Sequence, residues 1–253
     1  MNAGRLWIIG MLLAISANAA PVVFQTSGHR ASLLELYTSE GCSSCPPAER
    51  WLSRLKDSSG LWTNFVPVAF HVDYWNYLGW RDRWSSELFS NRQRAYANIW
   101  GGDTIYTPEF ILNGKEWRRA PGQKNVPSAS TASPGTLKVN SDDGTRWHAI
   151  FVPTEPRKLQ FDIHACLLVS GVGSDVKAGE NEGRRLDHDF AALTLVESAM
   201  LQSSTVFRAE FMLPPPPAPA KRTLALAVWV TEKGGLEPLQ STGGWLRPAD
   251  GPK

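Results

Sequence analysis

The chain has 253 residues, 42% of them hydrophobic and 20% charged, with a formal net charge of +2 at pH 7. That balance belongs to a globular protein with real cores, long enough for two ordinary domains. It gives no broad basic face, which sets nucleic acid aside as a partner.

At the N-terminus, Arg5 precedes an apolar run at residues 6–15, and Ala17-Asn18-Ala19 supplies the small-x-small pattern of a cleavage site. Residues 1–19 therefore read as a signal peptide. The run is shorter than the about 20 residues that cross a bilayer, and no later stretch reaches that length. The mature chain is expected to carry no membrane span and to be periplasmic or secreted, where disulfides persist. Of the three cysteines, Cys42 and Cys45 are close enough to bridge each other, and Cys166 stands alone.

Residues 31–38 form a short apolar run between turn residues, the pattern of a buried strand. It ends near Gly41-Cys42. Pro46 and Pro47 then sit where a first helical turn tolerates proline, and Ala48, Trp51, Leu52 and Leu55 recur at helical spacing. Residues 65–72 read as a second strand and 85–100 as a second helix with a serine cap. After Thr107-Pro108, residues 109–112 and 115–117 flank Asn113-Gly114, a strong hairpin signal. The order is β-α-β-α-β-β.

Residues 121–136 are rich in Pro, Gly, Ser and Ala without periodicity, the composition of a linker. They divide a first domain (20–120) from a second (137–253). In the second, residues 136–139, 147–152, 159–169, 191–197, 205–213 and 224–231 read as short strands between turns, which predicts a small antiparallel sandwich. The run 214–219 is placed as an exposed polyproline loop between two of them. Cys166, flanked by Leu167 and Leu168, reads as a buried core residue.

The chemistry centres on Cys42-Ser43-Ser44-Cys45 between a predicted strand and a predicted helix. The first sulfur is expected near unpaired backbone N–H groups at the positive end of the helix, which favours its thiolate. Cys42 would attack and Cys45 would resolve. The plainer alternative is a static disulfide, although so short a loop gains little stability from closure. His71 and Asp73 close the second strand on one face, at the edge where the dithiol sits, with Tyr74, Trp75 and Trp80 available to wall a binding pocket. The alternative for these residues is ordinary packing. Two thiolates and an imidazole are also soft-metal ligands, so a copper or zinc site at Cys42, Cys45 and His71 stays open, although a fourth ligand at familiar spacing is missing.

Cys42-Ser43-Ser44-Cys45 ahead of a helix, with Thr107-Pro108 opening a strand, resembles the thioredoxin fold. The resemblance implies a cis Pro108 facing the sulfurs, a Thr107 backbone that pairs with extended substrate, and Glu35 as a buried acid assisting proton transfer. More closely, the segment 36–48, His71-Val72-Asp73-Tyr74-Trp75 with Leu78-Gly79-Trp80, Arg92-Gln93 and Tyr106-Thr107-Pro108 are similar to the exported thioredoxin-like family called domain of unknown function 1223. Gly179-Glu180-Asn181-Glu182-Gly183 with Leu186 and His188 resembles that family's downstream segment.

The expectation is thus an α/β thioredoxin-like domain followed by a small all-β sandwich domain, acting as an exported thiol–disulfide oxidoreductase. Protein thiols or disulfides would be its substrates, with no cofactor. A non-catalytic binding protein and a metal chaperone are the competing readings.

Overall fold

A computed structural model describes residues 21–118, 126–155, 159–214 and 222–246. The expected signal peptide and most of the polyproline run lie outside them. The first part runs β1 (Val22–Gln25), β2 (Ser32–Thr38), α1 (Pro46–Ser53) with a 3-10 turn behind it, β3 (Phe65–His71), α2 (Glu87–Ile99), β4 (Glu109–Leu112) and β5 (Lys115–Glu116). The chain continues through β6 (Gly135–Ser141), β7 (Arg146–Pro153), β8 (Phe161–Ser170), β9 (Val172–Asp175), β10 (Arg185–His188) and β11 (Ala191–Ala192). It ends with β12 (Val196–Ala199), β13 (Leu201–Ser203), β14 (Val206–Met212), β15 (Thr223–Glu232) and β16 (Pro238–Leu246).

The local signals explain the first elements. Prolines open α1, and the Ser86 hydroxyl accepts the Leu88 N–H at 3.2 Å to cap α2. Asn113 and Gly114 both take positive φ, 50° and 79°, which suits the tight turn between β4 and β5.

The fold class differs from the expectation. Sixteen strands and only two α-helices make the described residues mostly β, so the chain is not an α/β thioredoxin-like domain with a separate sandwich behind it. Nine strands form one sheet in the order β16-β15-β8-β11-β3-β2-β4-β5, with β12 also paired to β8. The junction is β11: Ala191 pairs in parallel with Ala69 of β3, and on its other edge Ala191 and Ala192 pair antiparallel with Val169 and Leu168 of β8. Strands from both halves of the sequence thus share one hydrogen-bonded sheet. A second sheet of five strands, β1-β6-β7-β14-β13, takes the first strand of the chain.

Two cores follow from the period-2 alternation of β8 and β15. Leu226, Val228, Val230, Ile163 and Ala165 face the five-stranded sheet, against Trp147, Phe151 and Phe207. Ala225, Ala227, Trp229, Cys166 and Leu168 face the other way and join the core shared with β2, β3 and the helices. Both faces being covered, these strands read as continuous apolar runs. Cys166 is a core residue, as its neighbours suggest. Among the described residues, no helix is long and apolar enough to cross a membrane.

Candidate functional site

Cys42 and Cys45 lie in the turn between β2 and α1, both as free thiols. Cys45 is the N-cap residue of α1; its carbonyl accepts the N–H groups of Ala48 at 2.9 Å and Glu49 at 3.1 Å. Pro46 and Pro47 have no N–H to lend the sulfur, but the Ser44 backbone N–H just ahead of the helix does reach Cys42. The Cys42 sulfur finds other partners. Its Sγ sits 3.2 Å from Ser44 Oγ and 3.7 Å from the Thr107 carbonyl oxygen. A hydrogen bond from the Cys45 thiol overcomes the opposing effect of burial and, with the Ser44 hydroxyl and backbone N–H, holds the Cys42 thiol down at about 6. Burial, then the hydrogen bond to Cys42 and its charge, push the Cys45 thiol well above its ordinary value. One thiol is set to ionise and the other to keep its proton.

The Thr107–Pro108 peptide is cis, and both residues are partly exposed beside Cys42. Cys42 itself is 1% exposed, but Ser43 and Ser44 stand at the surface, so the sulfur lies just beneath it. Trp75 closes one flank: its indole N–H donates to Thr107 Oγ1 at 2.8 Å, and its Cβ would lie 3.0 Å from a Cβ placed on Gly41. Tyr74 donates to Gln93 Oε1 at 3.1 Å, and Gln93 in turn donates to the Tyr106 carbonyl at 2.8 Å. These contacts fix the loop that carries Thr107. Trp80 is held at the other end of the dithiol loop, where its N–H donates to Glu40 Oε2 at 2.6 Å.

Three other candidates are placed differently from the sequence-based expectation. Glu35 is wholly buried in an ion pair with Arg92, at 2.8 and 3.1 Å, and accepts hydrogen bonds from Tyr37 at 2.9 Å and Tyr96 at 2.6 Å. Its oxygens are committed to that cluster rather than to the thiols. His71 is fully buried, with Nδ1 at 2.7 Å from Asp82 Oδ2. Asp73 accepts a hydrogen bond from Ser90 and ties β3 to α2.

The buried acid beneath the dithiol is Glu49, on α1. The Thr38 hydroxyl donates to Glu49 Oε1 at 2.7 Å and also contacts Cys45. His188 lies between Glu49, which its Nδ1 meets, and Glu40, whose Oε1 is 3.0 Å from its Nε2. Burial alone would lower the His188 imidazolium; the charges and hydrogen bonds of Glu49 and Glu40 overcome it and hold it up at about 10. Asp82 ties the group to the loop, accepting the Glu40 N–H at 2.9 Å as well as facing His71. The metal set Cys42, Cys45 and His71 is not brought together. Among the described residues, the ligand atoms that do converge are those of Glu49, His71 and His188, all within 4.8 Å of one another.

The loop between β9 and β10 completes the site. The Asn181 amide donates to the carbonyls of Glu40 at 2.9 Å and Cys42 at 2.8 Å, and Glu180 Oε2 accepts the Ser43 N–H at 2.9 Å. Sequence reasoning singled out this segment only as a resemblance; the burial of Asn181 and His188 against the dithiol loop is a long-range contact that no local pattern records.

A family model described as protein of unknown function (DUF1223) matches residues 33–231. The chain belongs to that family. Two solved structures resemble this DUF1223 chain. Protein AGR_C_4864 from Agrobacterium tumefaciens is 20% identical at a TM-score of 0.55, over 85% of this chain and 93% of its own. HBP35 of Porphyromonas gingivalis is 13% identical at a TM-score of 0.57, over 87% and 76% respectively. At these identities the likeness is one of fold alone. No curated protein matches the DUF1223 chain at a significant level.

Proposed function

We propose that this DUF1223 protein is an exported thiol–disulfide oxidoreductase that works through Cys42 and Cys45 on protein disulfides. The observation that carries the reading is the placement of the pair: two free thiols, with Cys42 Sγ just beneath the surface between Ser44 Oγ and the Thr107 carbonyl of a cis peptide, an arrangement in which Cys42 is held at about 6 and Cys45 well above its ordinary value. The Cys42 thiolate attacks one sulfur of a substrate disulfide, forming a mixed disulfide and releasing the other sulfur as a thiolate. Cys45 then loses its proton and attacks Cys42 Sγ, expelling the second substrate sulfur. The substrate gains two electrons and the chain ends as a Cys42–Cys45 disulfide, which an external dithiol must reduce. The reverse sequence passes the disulfide on.

Thr107 and Pro108, partly exposed beside Cys42, would form one wall of the substrate groove, with Trp75 buttressing Thr107. The test is an insulin-reduction or scrambled-ribonuclease assay on wild type and Cys42→Ser. Loss of turnover in the variant is expected; equal rates would overturn the reading and favour a binding role. Export is tested by following a tagged full-length chain into the periplasm or medium.

A further inference from the structure

We propose that Glu49, His71 and His188 form a binding site for one divalent transition-metal cation of the zinc class, beneath the dithiol and separate from its sulfurs. The three side chains come from α1, the end of β3 and the end of β10, and all are buried. One ligand atom from each lies within 4.8 Å of the other two. A cation about 2.1 Å from each needs its ligand atoms roughly 3.4 Å apart, so the wider pairs would close while Glu49 and His188, which meet directly, would part.

The decisive observation is at His71. Its Nδ1 is engaged by Asp82 at 2.7 Å, but its Nε2, fully buried, has no hydrogen-bond partner among the described residues. Buried polar atoms in native proteins are nearly always satisfied, so an orphaned ring nitrogen in such a cluster calls for a partner. The two imidazole rings stand 4.9 Å apart between centroids, at 84°. Two imidazoles sharing a tetrahedral zinc stand about 5.2 Å apart, given the usual zinc–nitrogen distance.

The outer contacts agree. Asp82 holds the far nitrogen of His71, and Glu40 holds Nε2 of His188 at 3.0 Å. A carboxylate on the outer nitrogen of each ligating histidine is the arrangement that orients metal ligands and raises their basicity. The inner atoms that would face the cation are His71 Nε2, His188 Nδ1 and a Glu49 oxygen; the last two meet each other, and the cation would displace the proton between them. Thr38 steadies Glu49 from the other side at 2.7 Å. Three buried carboxylates, Glu40, Glu49 and Asp82, surround two imidazoles, and a dication would take over the compensation that the ring protons supply. Two imidazoles and a carboxylate leave a fourth position for water or another donor.

The site is tested on the full chain refolded with zinc chloride and dialysed. One equivalent of zinc is expected by elemental analysis, retained in Cys42→Ser/Cys45→Ser and lost in His71→Gln and in His188→Gln. Asp82→Asn should weaken zinc 10–100-fold, the usual effect of removing an outer carboxylate. If a histidine variant does not fold by circular dichroism, zinc-edge X-ray absorption on the wild type decides: a nitrogen and oxygen shell with imidazole scattering supports the site. A sulfur shell, loss of zinc in the cysteine double variant, or no retained zinc in the wild type overturns it.

Discussion

The Asn181 side-chain amide holds the Cys42 carbonyl at 2.8 Å and the Glu40 carbonyl at 2.9 Å, so a residue 139 positions away fixes the loop of the dithiol. Asn181 is itself wholly buried. Asn181→Ala takes the donor from the buried Glu40 carbonyl, which should destabilise the chain by about 1–3 kcal/mol. Asn181→Asp keeps the shape but offers no N–H, and should cost at least as much. Urea unfolding midpoints check both; wild-type midpoints would show that the β9–β10 loop does not anchor the dithiol.

The pH dependence of Cys42 has a definite sign. Its thiol is held at about 6, below the ordinary value of 9.0, so the thiolate dominates above pH 6 and is lost as pH falls through it. The rate of iodoacetamide labelling should rise through about pH 6 and level off by neutrality, whereas an ordinary cysteine is still rising there. Ser44→Ala removes one hydrogen bond to the sulfur and should move the midpoint upward. A wild-type midpoint above 8 would contradict the assigned asymmetry.

Some of this architecture is legible in the sequence because its causes are local. The β2 run, the prolines of α1, the Ser86 cap and the Asn113-Gly114 turn each state their structure within a few residues. Period-2 alternation likewise marks β8 and β15 as strands, but it records which face a side chain takes and not which strand lies alongside. That is why the join through Ala191 and Ala192 is hidden, and with it the merging of the two halves into one sheet. Glu49 is hidden for a related reason: in sequence it is one charged residue in a polar helix, and only His188, 139 positions later, makes it a buried partner. Glu35, by contrast, is correctly legible as buried but not as the partner of Arg92.

The Glu35–Arg92 pair gives a prediction that separates structure from chemistry. Both groups are buried, and removing one partner leaves an uncompensated charge, at a cost of about 3–5 kcal/mol. Arg92→Met should therefore lower the unfolding midpoint sharply, and the double variant Glu35→Gln/Arg92→Met should recover part of the loss. The Cys42 labelling profile of the folded double variant should match wild type. A displaced profile would return Glu35 to the proton chemistry of the thiols.

Trp75 tests whether the Thr107 loop is a substrate wall. Its indole N–H is donated to Thr107 Oγ1 at 2.8 Å, while its ring packs against the main core. Trp75→Phe keeps an aromatic ring and removes the donor, so the loop loses one hydrogen bond, a net stability change of about 0.5–1.5 kcal/mol. Its effect should fall on substrate positioning: KM for a protein disulfide should rise several-fold. Labelling of Cys42 by a small reagent, which does not use the wall, should keep its rate. Equal KM values would remove Thr107 from the groove, and a parallel fall in both measurements would show that Trp75 supports the thiol itself.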